Sequence, residues 1–176
     1  RIKYRWLKIN QETHHRINMK IINNFLPETN FKKIQKFFLS SEFPYFFNEK
    51  VANESEMTKD FYFTHTLYDN NVVNSDHFHL VKPLLEKLDI WFLRRVKVNC
   101  YTRTEKLIKH EEHQDLPFSH NGAVFSLNTC DGGTYINNEF VKSEENRIIL
   151  FDPFILHSST NCTDQQARFN ININWK

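Results

Sequence analysis

Apolar residues recur at helical spacing early in the chain. Between residues 27 and 40, Phe31, Ile34, Phe37 and Phe38 fall on one face. Pro27 and Glu28 suit the first turn of such a helix. Phe78, Val81, Leu84, Leu85 and Leu88 form a second stripe, which Ser75 or Asp76 can cap. Residues 43–58 read as loop and 61–67 as strand. Near residue 91 the pattern changes to short alternating runs, at 95–101, 106–111, 123–128, 134–137, 139–142, 147–151, 155–158 and 167–175. All three glycines, Gly122, Gly132 and Gly133, bracket the third of these runs and predict turns at its ends. So many short strands predict a mainly β fold with N-terminal helices, the β part being a sandwich or small barrel. The expected organisation is one domain over 1–176, with a helical support region at 1–90 and a β core at 91–176.

Two of the strands are strictly two-faced. In one, Phe169, Ile171, Ile173 and Trp175 oppose Arg168, Asn170, Asn172 and Asn174. In the other, Val96, Val98 and Cys100 oppose Lys97, Asn99 and Tyr101. Such a sheet can face water with its polar side. Alternatively, the amphipathic helices cover the apolar faces and the polar faces point into a barrel. A barrel interior of that kind is a pocket, because buried polar groups need partners.

Composition narrows the class. The chain has 176 residues, 40% of them hydrophobic, 15% aromatic and 25% charged, which suits a globular domain rather than a disordered segment. No apolar run approaches the roughly 18 residues of a membrane span, and the charged first residues do not read as a signal peptide. A net charge of +2 is too balanced to point to nucleic acid. Cys100, Cys130 and Cys162 form no CxxC pair and read as reduced thiols, so a cytoplasmic location is expected.

Nine histidines stand out. Chance places about one His-x-acid pair in a chain of this composition. Two occur, His110-Glu111-Glu112 and His113-Gln114-Asp115. The second falls at a strand end beside Leu116-Pro117, where sites are commonly built. His157 closes the apolar run that begins at Ile148 and turns at Asp152-Pro153. Two imidazoles and one carboxylate suit Fe(II) while leaving coordination positions open. His110 and His120 read as exposed positions near that site, with a role behind the metal ligands or at the pocket rim as the alternative, His77 and His79 as a helix surface, and His14-His15 as a solvated arm. Arg94, Arg95, Lys97 and Arg103 read by default as a charged face, with the reception of an anionic substrate as the alternative.

The ordered pieces of the second half resemble the 2-oxoglutarate and Fe(II)-dependent oxygenase superfamily. These are the strand from Arg95 to Tyr101, His113-Gln114-Asp115, the run from Val124 to Asn128, Asp131-Gly132-Gly133-Thr134, the run from Asn146 to Phe151, His157 and Arg168. The closest flavour is the prolyl-hydroxylase-like branch, including its phage and viral members. The resemblance implies a double-stranded β-helix (jelly-roll) core. It implies that His113, Asp115 and His157 hold Fe(II) and that Arg168 binds the distal carboxylate of 2-oxoglutarate. A guanidinium fork suits that carboxylate. Asn170 stands where relatives often carry a hydroxyl residue, and Tyr101, Asn99 and Asn128 become candidate cosubstrate contacts. The implied reaction consumes O₂ and 2-oxoglutarate, releases succinate and CO₂, and hydroxylates a C–H bond. The expected substrate is a peptide side chain or amino acid. The competing readings are the same chemistry on a nucleic acid base and a non-catalytic, cupin-like binding module.

Overall fold

A computed structural model describes residues 19–51 and 60–176. His14, His15 and most of the second half of the expected 43–58 loop lie outside the described residues. In chain order the elements are β1 (Lys20–Ile22), α1 (Glu28–Phe38), β2 (Phe46–Asn48), β3 (Tyr62–Asp69), β4 (Val72–Val73), a short 3-10 helix (Asp76–Val81) running into α2 (Lys82–Leu88), and β5 (Leu93–Thr102). Then follow β6 (Asn121–Ser126), β7 (Gly133–Ile136), β8 (Glu139–Lys142), β9 (Ile148–Phe151), β10 (His157–Ser159) and β11 (Ala167–Trp175). The large sheet runs β1-β9-β6-β11-β5-β3-β2, with β4 hung on β3. The small sheet runs β10-β7-β8. All named pairings are antiparallel.

The helices form where the apolar stripes predict. Helix α1 starts after Pro27, whose fixed φ suits a helix entrance, and buries Phe31, Ile34 and Phe38. Ser75 caps the 3-10 helix, accepting from the His77 amide at 3.2 Å. Asp89 ends α2 in the left-handed region. Together the helices cover one face of the large sheet. Phe31, Phe38, Leu84 and Leu88 join Val96, Val98, Phe125, Ile148, Ile171 and Ile173 in the main core. Burying each such side chain contributes about 1.5–3 kcal/mol. A smaller apolar cluster of Val124, Ile136, Val141, Ile149 and Phe151 joins the other face of the large sheet to the small one. Residues 148–151 thus serve two cores by simple alternation, which is why this run is apolar throughout.

Three expectations need correction. Residues 106–111 are not a strand. The Ile108 amide is taken by Asn161 Oδ1 and the His110 amide by the Ser159 carbonyl, leaving only isolated bridges. Residues 46–48, expected as loop, pair with β3 as a strand. The first half also does more than support the core, since β1 joins β9 and β3 joins β5, so the large sheet crosses the expected divide at residue 91.

Candidate functional site

The polar faces of β5 and β11 lie side by side. Their register pairs Tyr101 with Arg168, Asn99 with Asn170, Lys97 with Asn172 and Arg95 with Asn174. Because side chains alternate, one register setting places all eight on one face, opposite the helices. Arg168, Asn170 and Asn174 are nevertheless buried. The polar face therefore lines a cleft between the sheets rather than facing water. Its walls include Lys97, Asn99, Tyr101, Val124, Asn170 and Asn172, and the three residues below.

His113, Asp115 and His157 converge at one end of this cleft. The 113 and 157 backbones exchange hydrogen bonds of 2.9 and 3.1 Å, and the Asp115 amide donates to the Pro153 carbonyl at 3.1 Å. Gly122 makes room for that turn. A Cβ at this position would lie 2.0 Å from the Pro153 ring. The result is a cluster whose prospective ligand atoms all lie within 4.8 Å of one another.

Each side chain is set in the state a metal requires. The Nδ1 atoms of His113 and His157 lie 3.3 and 2.8 Å from the carbonyls of Glu111 and Ile155. A carbonyl can only accept, so each Nδ1 carries the proton and each Nε2 presents a lone pair. His157 Nε2 is buried without a hydrogen-bond partner among the described residues. Burial, helped by the charges of His113 and Arg95, lowers the His157 pKa and favours the neutral ring. Burial also pushes the Asp115 carboxyl up, but Arg95, His157, Asn174 and His113 outweigh it and hold Asp115 well below the usual carboxylate range. Arg95 Nη2 donates to Oδ1 at 2.8 Å and Asn174 Nδ2 to Oδ2 at 2.9 Å. Asn174 Nδ2 also lies 3.0 Å from His120 Nε2. The donor set, its protonation and the unpartnered His157 nitrogen fit a divalent transition metal.

Arg168 stands toward the other end. Its side chain is 1% exposed, yet it meets no carboxylate among the described residues. Nη1 donates to the Thr160 carbonyl at 3.0 Å, Nη2 to Thr134 Oγ1 at 2.9 Å, and Nε has no partner among the described residues. Its guanidinium lies 5.3 Å from the centre of the Tyr101 ring, itself stacked between Tyr62 and His110. A buried cation held by neutral groups is costly and suits an arriving carboxylate. Gly132 backs this arrangement, since a Cβ there would meet the Asn161 carbonyl at 1.9 Å and Arg168 Cδ at 3.1 Å.

The structure thus brings His113, Asp115, His157, Tyr101, Asn99 and Asn170 to one cleft, with Arg168 behind Tyr101 and Thr134. Asn99 Nδ2 donates to Asn170 Oδ1 at 2.9 Å. Asn128 is placed elsewhere. Its amide donates to the Ala167 carbonyl and accepts from the Phe169 amide, latching a loop to β11. His110 and His120, expected as exposed, are 6% exposed each. His110 Nδ1 lies 2.8 Å from Ser159 Oγ, and His120 is held by Phe118 and Asn174. His77 is half-buried against Phe37 and Phe43, whereas His79 is exposed, as expected. Asn174 and Thr134 were not singled out for the site by sequence, and Arg95 and Lys97 entered only as basic groups able to meet an anionic substrate. The signal for Asn174 and Lys97 was present in the strand alternation, but nothing local tells which strand meets the loop carrying Asp115.

No protein-family profile matches the chain, and no curated protein matches it in sequence. Solved structures do match. A prolyl hydroxylase from Trichoplax adhaerens, in complex with a hypoxia inducible factor oxygen degradation domain peptide fragment, is 17% identical with a TM-score of 0.65; the match covers 91% of this chain and 84% of that one. A 2OG-Fe(II) oxygenase family oxidoreductase from Burkholderia pseudomallei is 12% identical at TM-score 0.67, covering 90% of this chain and 84% of that one. A viral collagen prolyl hydroxylase from Paramecium Bursaria Chlorella virus-1 is 13% identical at 0.57, covering 89% and 94%. The chain has the jelly-roll fold of these 2-oxoglutarate oxygenases and prolyl hydroxylases. Among the described residues, no helix is long and apolar enough to cross a membrane.

Proposed function

We propose that the protein is an Fe(II)- and 2-oxoglutarate-dependent dioxygenase that hydroxylates a C–H bond, with succinate and CO₂ as co-products. A peptide side chain or amino acid is the proposed substrate class. The observation that carries this reading is the convergence of His113, Asp115 and His157, with a lone pair of His157 buried and unclaimed. When bound by two imidazoles and a carboxylate, Fe(II) keeps positions open for cosubstrate and O₂ and supplies the oxidative chemistry.

The chain's own residues do the rest. The carbonyls of Glu111 and Ile155 fix the two imidazole tautomers, and Arg95 and Asn174 orient the Asp115 carboxylate. Arg168, once it meets a distal carboxylate, replaces neutral partners with a charged one. Tyr101 covers its face, and the Asn99–Asn170 pair forms the floor between the two ends. Val124 and the apolar cluster behind it keep that side of the cleft dry.

An anaerobic titration of the Fe(II)-loaded protein with 2-oxoglutarate tests the reading. A visible charge-transfer band is expected to grow and saturate in the parent. It should be lost in Asp115→Ala and be absent or need far more cosubstrate in Arg168→Ala. A folded, iron-loaded parent that shows no band overturns the proposal and favours a binding module.

A further inference from the structure

Lys97 is not needed to hold the metal or the distal carboxylate, yet it points into the cleft. Apart from Arg168 at the far end and Arg95 on Asp115, it is the one lysine or arginine among the described residues that line this space, and Asp115 is the one acid. Asp115 is already engaged by Arg95 and Asn174. Lys97 Nζ has a single hydrogen-bond partner among the described residues, the Tyr62 hydroxyl at 3.2 Å, and lies 5.4 Å from the centre of that ring. An ammonium has three protons to donate, so two are unspent on the chain's described groups. Burial lowers its pKa to about 8, with the Arg95 charge adding to the effect and Asp115 opposing it. Asp115 is the one described carboxylate whose charge favours the ammonium, and it is already paired with Arg95.

The position of Lys97 says which ligand would offset its charge. On β11, Arg168, Asn170 and Asn172 lead step by step from the carboxylate end to Asp115, which Asn172 Nδ2 approaches at 3.5 Å. Lys97 is the cross-strand partner of Asn172, one strand further out, and faces Thr66 of β3 on its other side. It therefore flanks the metal end on the side away from β6, off the line that joins Arg168 to the metal. A dianionic cosubstrate on that line answers Arg168 and the metal and leaves Lys97 unanswered. The charge remaining in the cleft is positive.

We propose that Lys97 binds a carboxylate of the primary substrate, which makes that substrate a carboxylate-bearing molecule able to enter the cleft. This rests on the oxygenase reading and narrows it. A charge-assisted contact of this kind holds one end of the substrate beside the metal and presents its C–H bonds there. Neutral analogues leave the half-buried ammonium without a charged partner, so the site disfavours them.

The test uses the anaerobic protein saturated with Fe(II) and 2-oxoglutarate. Acetate, L-alanine and inorganic phosphate are titrated in, with acetamide and L-alaninamide as counterparts lacking the carboxylate. Two signals are read: perturbation of the charge-transfer band, and protection of Lys97 from a small amine-acylating reagent, located by peptide mass spectrometry. The carboxylates should act saturably in both, and the amides should not. In Lys97→Met the band response to carboxylates should weaken by roughly tenfold or more, while half-saturation by 2-oxoglutarate stays within about twofold. Lys97→Arg should retain the response. Lys97→Met removes a half-buried charge without leaving another unpaired, so it should melt no lower than the parent.

Equal action of acids and amides overturns the proposal. So does a Lys97→Met protein that loses 2-oxoglutarate as strongly as it loses acetate, which would hand Lys97 to the cosubstrate. Protection by phosphate but not by carboxylates overturns it in favour of a phosphorylated substrate. A parent with no band in which acetate still protects Lys97 would sink the oxygenase reading alone and leave the anion site standing.

Discussion

The two faces of the β5–β11 pair are both buried and are built on opposite terms. On the helix side, Val96, Val98, Ile171 and Ile173 are fully covered and nothing there asks for a partner. On the cleft side, Arg168 and Asn174 are as deeply buried, yet among the described residues Arg168 Nε, Asn99 Oδ1 and Asn174 Oδ1 lack partners, as does His157 Nε2 nearby. Burial alone therefore does not separate a core from a site. Unmet hydrogen-bonding capacity does, because a buried polar group without a partner costs roughly 1–3 kcal/mol and persists where a ligand completes it.

The sharpest way to break the contrast is to cut the helix face. Phe125 is completely buried and packs edge-on against Phe25 and Phe31. Phe125→Ala should destabilise the fold by about 3–5 kcal/mol, read by urea denaturation. Lys97→Met on the cleft face should show no such loss. A comparable loss in both would mean that the cleft is an ordinary core.

A somewhat smaller effect follows from pH. Burial, with the charges of Arg168 and His113, lowers the His110 pKa from 6.5 to about 4. The unfolded chain therefore binds this proton more readily than the folded one. The stability that His110 contributes is present above pH 6.5 and is lost as the pH falls toward 4. The loss over that window should be about 3 kcal/mol. Metal-free protein titrated by denaturation should show it, and His110→Phe, which preserves the stack on Tyr101, should flatten the slope.

The smallest effect sharpens the comparison within the cleft. Asn174→Ala removes the donor to Asp115 Oδ2 and to His120 without touching a prospective ligand. Metal affinity should fall by roughly tenfold, measured by competition with a chelator, with little change in melting temperature. An unchanged affinity would show that Arg95 and Asn172 suffice to orient the carboxylate.

Much of this was legible before folding. The helix stripes read correctly because Phe31, Ile34 and Phe38 recur at helical spacing in α1, as Leu84 and Leu88 do in α2. The two-faced strands read correctly because Ile171 and Asn170 cannot share a side of a pleated sheet. What those polar faces look upon was not legible, since the same alternation serves a solvent-facing sheet. The 106–111 error has a related cause. The segment alternates like a strand, but side chains and carbonyls far along the chain, at Asn161 and Ser159, take up its amides. His110 and His120 were misread because exposure depends on neighbours such as Tyr101 and Asn174, which are remote in sequence.

Local chemistry by itself therefore determined the periodicities, the turn glycines and a ligand-like set of residue types in a particular order. The tertiary structure decided which of them meet. Strand register placed Arg168 against Tyr101 and Asn174 against Arg95, and the exchange of backbone hydrogen bonds between 113 and 157 closed the metal end. Lys97 shows the division most plainly. Along the chain it is one charge among several, and it becomes a candidate anchor only because Tyr62 and Asn172, from two other strands, enclose it without neutralising it. Pattern is a property of neighbours along the chain, whereas charge compensation is a property of neighbours in space.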